Sequence, residues 1–115
     1  MDHFPTFMKD PANAIDASSQ SKGVQGYVFD GADGSQMAFW ECESDLISAE
    51  HVHDYDEYFI VVQGLYTLII DEKKIPVASG QEYHIPKGVP HAGEAAAGTR
   101  TIHAFGGLRA KRKDW

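Results

Sequence analysis

Four residues of this chain carry metal-binding side chains at spacings that let them meet: His51, His53, Glu57 and His91. Neutral imidazole nitrogens and carboxylate oxygens are donors that first-row transition metals accept. Two histidines two residues apart face the same side if they lie on a strand, because strand side chains alternate. Glu57 follows after the polar link Asp54-Tyr55-Asp56, and His91 arrives from a distant stretch, GQEYHIPKGVPH, that begins at Gly80. The donor types suit one divalent ion of iron, manganese, nickel, copper or zinc, and spacing does not choose among them. Four protein donors on a five- or six-coordinate ion leave positions open for substrate, water or dioxygen.

Donors from distant parts of a chain converge only if a framework brings them together, and the rest of the sequence reads as that framework. Extended segments are expected at 27–30, 36–42, 46–53, 57–63, 65–71, 74–77, 81–85 and 100–105, separated by turn residues. Gly31-Ala32-Asp33-Gly34 and Gly64 mark hairpins. Pro76 puts its strand at a sheet edge, since proline cannot donate to a ladder. Residues 16–26 and 93–98 read as loops of small and polar residues. Asp10-Pro11 opens a short helical turn, with aspartate as cap and proline in the first position. Many short strands and no long amphipathic helix make the chain all-β, a barrel or sandwich.

With 115 residues the chain suffices for one domain with one core. We read a single domain over 1–115, with an N-terminal arm at 1–26, a barrel at about 27–107 and a basic tail at 108–115. The net charge of −7 argues against a nucleic-acid partner, because phosphate binding calls for a basic surface. The positive charges Arg109, Lys111, Arg112 and Lys113 gather in the tail, expected to be a solvated strip that can lie on the acidic body or on a neighbouring subunit. A lone cysteine, Cys42, excludes an internal disulfide framework and fits a reducing compartment. No apolar run approaches membrane-spanning length, and the start lacks the order of a signal peptide, so a cytoplasmic location and no membrane partner are expected. Phe4, Phe7 and Met8 are too apolar for a free arm. They are expected to pack on the barrel or on a partner subunit, and a homodimer follows from the second case.

The two stretches resemble the paired signatures of the cupin family. In the first, G-x5-H-x-H-x3,4-E-x6-G, the last four fixed positions fall on His51, His53, Glu57 and Gly64, and Asp45 stands where the opening glycine would be. In the second, G-x5-P-x-G-x2-H-x3-N, Gly80, Pro86, Gly88 and His91 match, and Ala95 replaces the final asparagine. The resemblance covers roughly residues 36–105. It implies a double-stranded β-helix, the jelly-roll form of two antiparallel sheets, and a divalent metal held by three imidazoles and one carboxylate near one mouth of the barrel. It turns a histidine pair that alone would read as solvent-facing into a metal site.

His103 shares a strand face with Thr101 and Phe105. If that face lines the barrel, His103 is either a general acid or base or a hydrogen-bonded core residue. His84 reads as a surface or structural residue, and Trp40, Tyr58, Phe59, Tyr66 and Tyr83 as wall. The tail, TIHAFGGLRAKRKDW, is similar to that of the small cupins that linearise unsaturated uronates. There an aspartate, a phenylalanine and an arginine assist the reaction, at positions matched here by His103, Phe105 and Arg109. The resemblance implies an enzyme of sugar-acid isomerisation or ring opening, with Arg109 pairing a substrate carboxylate. An iron- or copper-dependent dioxygenase and a non-catalytic small-ligand module are the alternatives.

Overall fold

The computed structural model describes residues 4–16 and 24–112. Among these, nine strands follow one another: β1 (Val24–Asp30), β2 (Gln36–Cys42), β3 (Leu46–Ile47), β4 (Glu57–Gln63), β5 (Leu65–Ile70), β6 (Lys73–Ala78), β7 (Glu82–Ile85), β8 (Ala92–Ala95) and β9 (Arg100–Phe105). They form two antiparallel sheets, ordered β1-β2-β9-β4-β7 and β3-β8-β5-β6. This is the expected jelly roll. β6, with Pro76, lies at an edge of its sheet. No helix among the described residues is long and apolar enough to cross a membrane.

Alternation decides which side chains enter the barrel. In β4, Glu57, Phe59 and Val61 are buried while Tyr58 and Ile60 face out. In β9, Thr101, His103 and Phe105 are buried. Register then sets cross-strand rows: Ala38 and Phe59 lie opposite His103, and Glu57 lies opposite Phe105. One apolar cluster consists of Ile15, Val28, Ala38, Phe105 and Ala110, and a second of Phe59, Val61, Leu68, Val77 and Ile85. The site lies between them.

The expected strand over 46–53 stops at Ile47. Ser48 is the cause: its hydroxyl accepts from Gly93 N at 2.9 Å, taking the place of a ladder carbonyl. Pairing resumes for one step at His51, which exchanges both backbone hydrogen bonds with His91 at 2.8 and 2.9 Å. The expected loop over 93–98 instead begins as β8, which pairs with β5 and β3. Its small residues serve packing: a β-carbon on Gly93 would collide with the Tyr66 hydroxyl. Of the expected loop over 16–26, residues 17–23 lie outside the described residues, and Val24 to Gly26 belong to β1.

The N-terminal arm begins with two 3-10 turns, Thr6–Lys9 and Pro11–Asn13, the second capped by the Asp10 side chain. Phe4 is buried, packs on Phe39 at 5.7 Å between ring centroids, and covers the Arg100 guanidinium at 4.8 Å. Phe7 is 77% exposed. Of the tail, Lys111 is exposed, while the stretch around it lies against the body of the molecule, and residues 113–115 fall outside the described residues. Ala110 is buried in the core, and Arg112 pairs with Asp30 and donates to the Asn13 side chain at 3.1 Å.

Candidate metal centre

Three different elements deliver the donors. His51 and His53 come from the irregular chain after β3, Glu57 opens β4, and His91 immediately precedes β8. The His51–His91 bridge fixes two of the rings 4.3 Å apart, and His53 lies 4.8 and 5.1 Å from them. One nitrogen from each of the three rings lies within 4.8 Å of the others. Glu57 Oε1 joins them, 3.3 Å from His53 Nε2 and 3.5 Å from His91 Nε2.

Hydrogen bonds set which ring nitrogens face this point. His51 Nδ1 lies 2.9 Å from the Ala49 carbonyl, and His91 Nδ1 lies 2.9 Å from the Val89 carbonyl. A carbonyl only accepts, so each Nδ1 carries the proton and each neutral ring presents an Nε2 lone pair. His53 is held by stacking on Tyr55 at 4.8 Å. His53 Nε2, His91 Nε2 and Glu57 Oε1 are all buried and have no hydrogen-bond partner. Buried polar atoms are rarely left so, because each costs desolvation without return. Three lone-pair atoms meeting out of water are what a cation satisfies. The donor set therefore fits a transition metal.

Charge reinforces the geometry. Burial alone would raise the Glu57 carboxyl, but contacts from His103, His53 and His91 outweigh it and hold the group well below the usual carboxylate range. Burial lowers His51. For His91 burial also opposes the proton, yet the Glu57 carboxylate raises the group overall. Without a cation, the Glu57 carboxylate favours a proton on His91, which competes with a metal ion for the same nitrogen.

His103 is 6% exposed, and both of its nitrogens are engaged. Nδ1 lies 2.7 Å from Glu57 Oε2, and Nε2 lies 3.0 Å from Thr101 Oγ1. Since ionised Glu57 only accepts, His103 donates from Nδ1 and the Thr101 hydroxyl donates to Nε2. The ring stacks with Phe59 at 5.1 Å and Phe105 at 5.7 Å, and Trp40 meets it edge-on at 4.9 Å. His103 is thus built to hold Glu57 still. Arg109 lines the same cavity, of about 410 Å³. Its place depends on Gln36, whose Oε1 accepts from Arg109 N at 2.7 Å and Ala110 N at 3.0 Å, while Nε2 donates to the Ala110 carbonyl at 3.0 Å. Sequence reading missed Gln36, which lies 73 residues from Arg109 and belongs to no motif. It also missed Ser48. Of the expected wall aromatics, Trp40 and Tyr66 line the cavity. Tyr58 is 55% exposed and stacks with His84 on the outer face at 4.2 Å.

A two-sheet jelly roll with histidines and a glutamate gathered inside one end defines a cupin. The family model for the cupin domain matches residues 40–105, and the chain belongs to the cupin family. No curated protein matches it in sequence. Solved structures share the fold. An RmlC-like cupin from Shewanella frigidimarina superposes with TM-score 0.72 at 18% identity, covering 97% of this chain and 94% of that one. KdgF from a Halomonas species gives 0.66 at 18% identity, covering 88% of each chain. Salicylate 1,2-dioxygenase from Pseudaminobacter salicylatoxidans gives 0.67 at 13% identity, covering 74% of this chain and 26% of that larger one.

Proposed function

We propose that this cupin is an enzyme that binds one divalent transition-metal ion through His51, His53, His91 and Glu57 and rearranges a small carboxylate beside it. The observation that carries the reading is the convergence of three buried, unpartnered lone-pair atoms next to a cavity of about 410 Å³ fronted by an arginine. A bound ion of this kind supplies Lewis-acid polarisation of a carbonyl or hydroxyl oxygen. The chain's own residues do the rest. Arg109 holds the substrate carboxylate, its guanidinium having no ion-pair partner among the described residues. His103 fixes Glu57 and links it to Thr101, so the Thr101 hydroxyl, the His103 ring and Glu57 Oε2 form one hydrogen-bonded row along the cavity wall. Phe105, Trp40 and Tyr66 exclude water from the reacting end.

Isomerisation or ring opening fits this set, because it needs carbonyl activation and proton movement without an oxidant. The likeness to KdgF lies in the fold alone at 18% identity. The test is turnover of small carboxylates under nitrogen by metal-loaded protein, with loss in Arg109→Gln. Turnover that consumes dioxygen would establish the dioxygenase reading instead, and saturable binding without product a ligand-binding module.

We also propose that the chain forms a homodimer, on the ground that Phe7 stands 77% exposed beside Phe4, which its own barrel buries. Sedimentation at micromolar concentration should give twice the chain mass. A monomer, or a dimer unaffected by Phe7→Asp, would refute that surface.

A further inference from the structure

The cavity's lining says what kind of carboxylate it takes. Most of its polar wall groups are already committed to one another or to the backbone. Ser48 exchanges hydrogen bonds with the Gly93 backbone at 2.9 and 3.2 Å and Tyr66 shares a hydrogen bond with it. Thr101 is bound to His103 at 3.0 Å, and His103 to Glu57 at 2.7 Å. The remaining nitrogens of His51 and His91 are held by backbone carbonyls. Beyond the metal-facing atoms, two charged groups are left on the lining, Arg109 and the exposed Glu50.

The other walls are apolar: Val24, Trp40, Leu46, Ile47 and Phe105. Ile47 is 77% exposed at the mouth, beside partly buried Leu46, so apolar surface continues outward from the cavity. A cavity of about 410 Å³ is toward the small end of ligand sites. A polyhydroxylated acid placed here would lose water from several hydroxyls and find few partners, at roughly tenfold in affinity for each. Glu50 repels a second carboxylate at the rim.

We propose that the cavity selects a small monocarboxylate on an apolar skeleton, an aromatic or branched aliphatic acid, over a sugar acid, with Arg109 reading the carboxylate and the Trp40, Leu46 and Ile47 wall reading the skeleton. The inference rests on the reading that this cavity is the ligand site of the metal centre.

The test is calorimetric titration of nickel-loaded protein with benzoate, cyclohexanecarboxylate, glucuronate and uncharged benzamide, with metal content measured on the same samples. Both apolar acids should bind at least about tenfold more tightly than glucuronate and than benzamide. Arg109→Gln should remove the preference for benzoate over benzamide and keep the nickel. Glucuronate binding as tightly as benzoate, benzamide matching benzoate in the unsubstituted protein, a benzoate preference indifferent to Arg109→Gln, or no acid binding at millimolar concentration would each overturn the proposal. The two readings fail separately. Protein that holds no nickel yet prefers the apolar acids through Arg109 refutes the metal centre and supports the selectivity. Protein that holds nickel and prefers glucuronate does the reverse.

Discussion

Replacing Glu57 by glutamine separates what the centre does for metal from what it does for the fold. The glutamine is the same size, and one end of its amide still accepts from His103 Nδ1, now 2.7 Å from the carboxylate. The other end places an NH2 where Oε1 lies, 3.3 Å from His53 Nε2 and 3.5 Å from His91 Nε2. Two orphaned acceptors gain a donor, and a buried charge disappears. The gain of about 1 kcal/mol per hydrogen bond is offset by the loss of the carboxylate's favourable contacts with the three histidines, so metal-free protein should keep a Tm within a few degrees of the parent's. Metal binding should weaken. An ion at 100 times its Kd stabilises the parent by about 2.7 kcal/mol, or about 10 °C in Tm for a chain of this size. An affinity tenfold to hundredfold lower leaves about 1.4 to 0.4 kcal/mol, or about 6 to 2 °C. Thermal unfolding with and without added nickel, zinc or manganese reads both quantities. A metal-free Tm that drops by several degrees while the metal shift stays at the parent's value would refute the argument.

Three further expectations concern the supports of the site. His103→Leu removes the hydrogen bond that holds Glu57 and should weaken metal affinity by about tenfold to hundredfold in competition with a chelating dye; unchanged affinity would show that His103 does not position the ligand. Gln36→Leu strips partners from two backbone amides and a carbonyl of the tail and from the Asp30 side chain, and should cost about 2–4 kcal/mol in urea unfolding while releasing Arg109. A change under about 0.5 kcal/mol would mean the tail holds its place without that clamp. Burial pushes the Cys42 thiol from 9.0 up to about 11, so the folded state favours the protonated form. Its contribution is whole below about pH 9 and is lost as the pH rises toward about 11, because the unfolded chain releases the proton sooner. Cys42→Ala should flatten the alkaline limb of stability against pH, and an identical limb in the two proteins would contradict this.

The convergence of the candidate metal donors was legible because metal chemistry restricts residue types and a two-residue spacing survives changes in local conformation. His51 and His53 meet the site although the strand expected to carry them breaks at Ser48. β2, β4 and β9 were legible to the residue, since each is an apolar-rich run between clear turn signals, and β4 also alternates buried and open positions. β8 was not, because Ala92 to Ala95 carries no large apolar side chain; its shape is set by Tyr66 lying across Gly93 from the neighbouring strand. How the tail is anchored was only partly legible, for a related reason. Four basic residues suggested solvent, while Ala110 between them carries the packing and Gln36, far off in sequence, carries the hydrogen bonds. Asp45, in place of a motif glycine, accepts from Ala97 N at 2.8 Å and ties the β2–β3 connection to the turn after β8. Contacts made by register and by distant side chains leave no local pattern to read.

X-ray diffraction at the absorption edge of a loaded transition metal tests the central claim most directly. A single anomalous peak per chain, enclosed by the His51, His53 and His91 imidazoles and the Glu57 carboxylate, is the expected result. A peak elsewhere on the molecule, or none after loading at neutral pH, would contradict it.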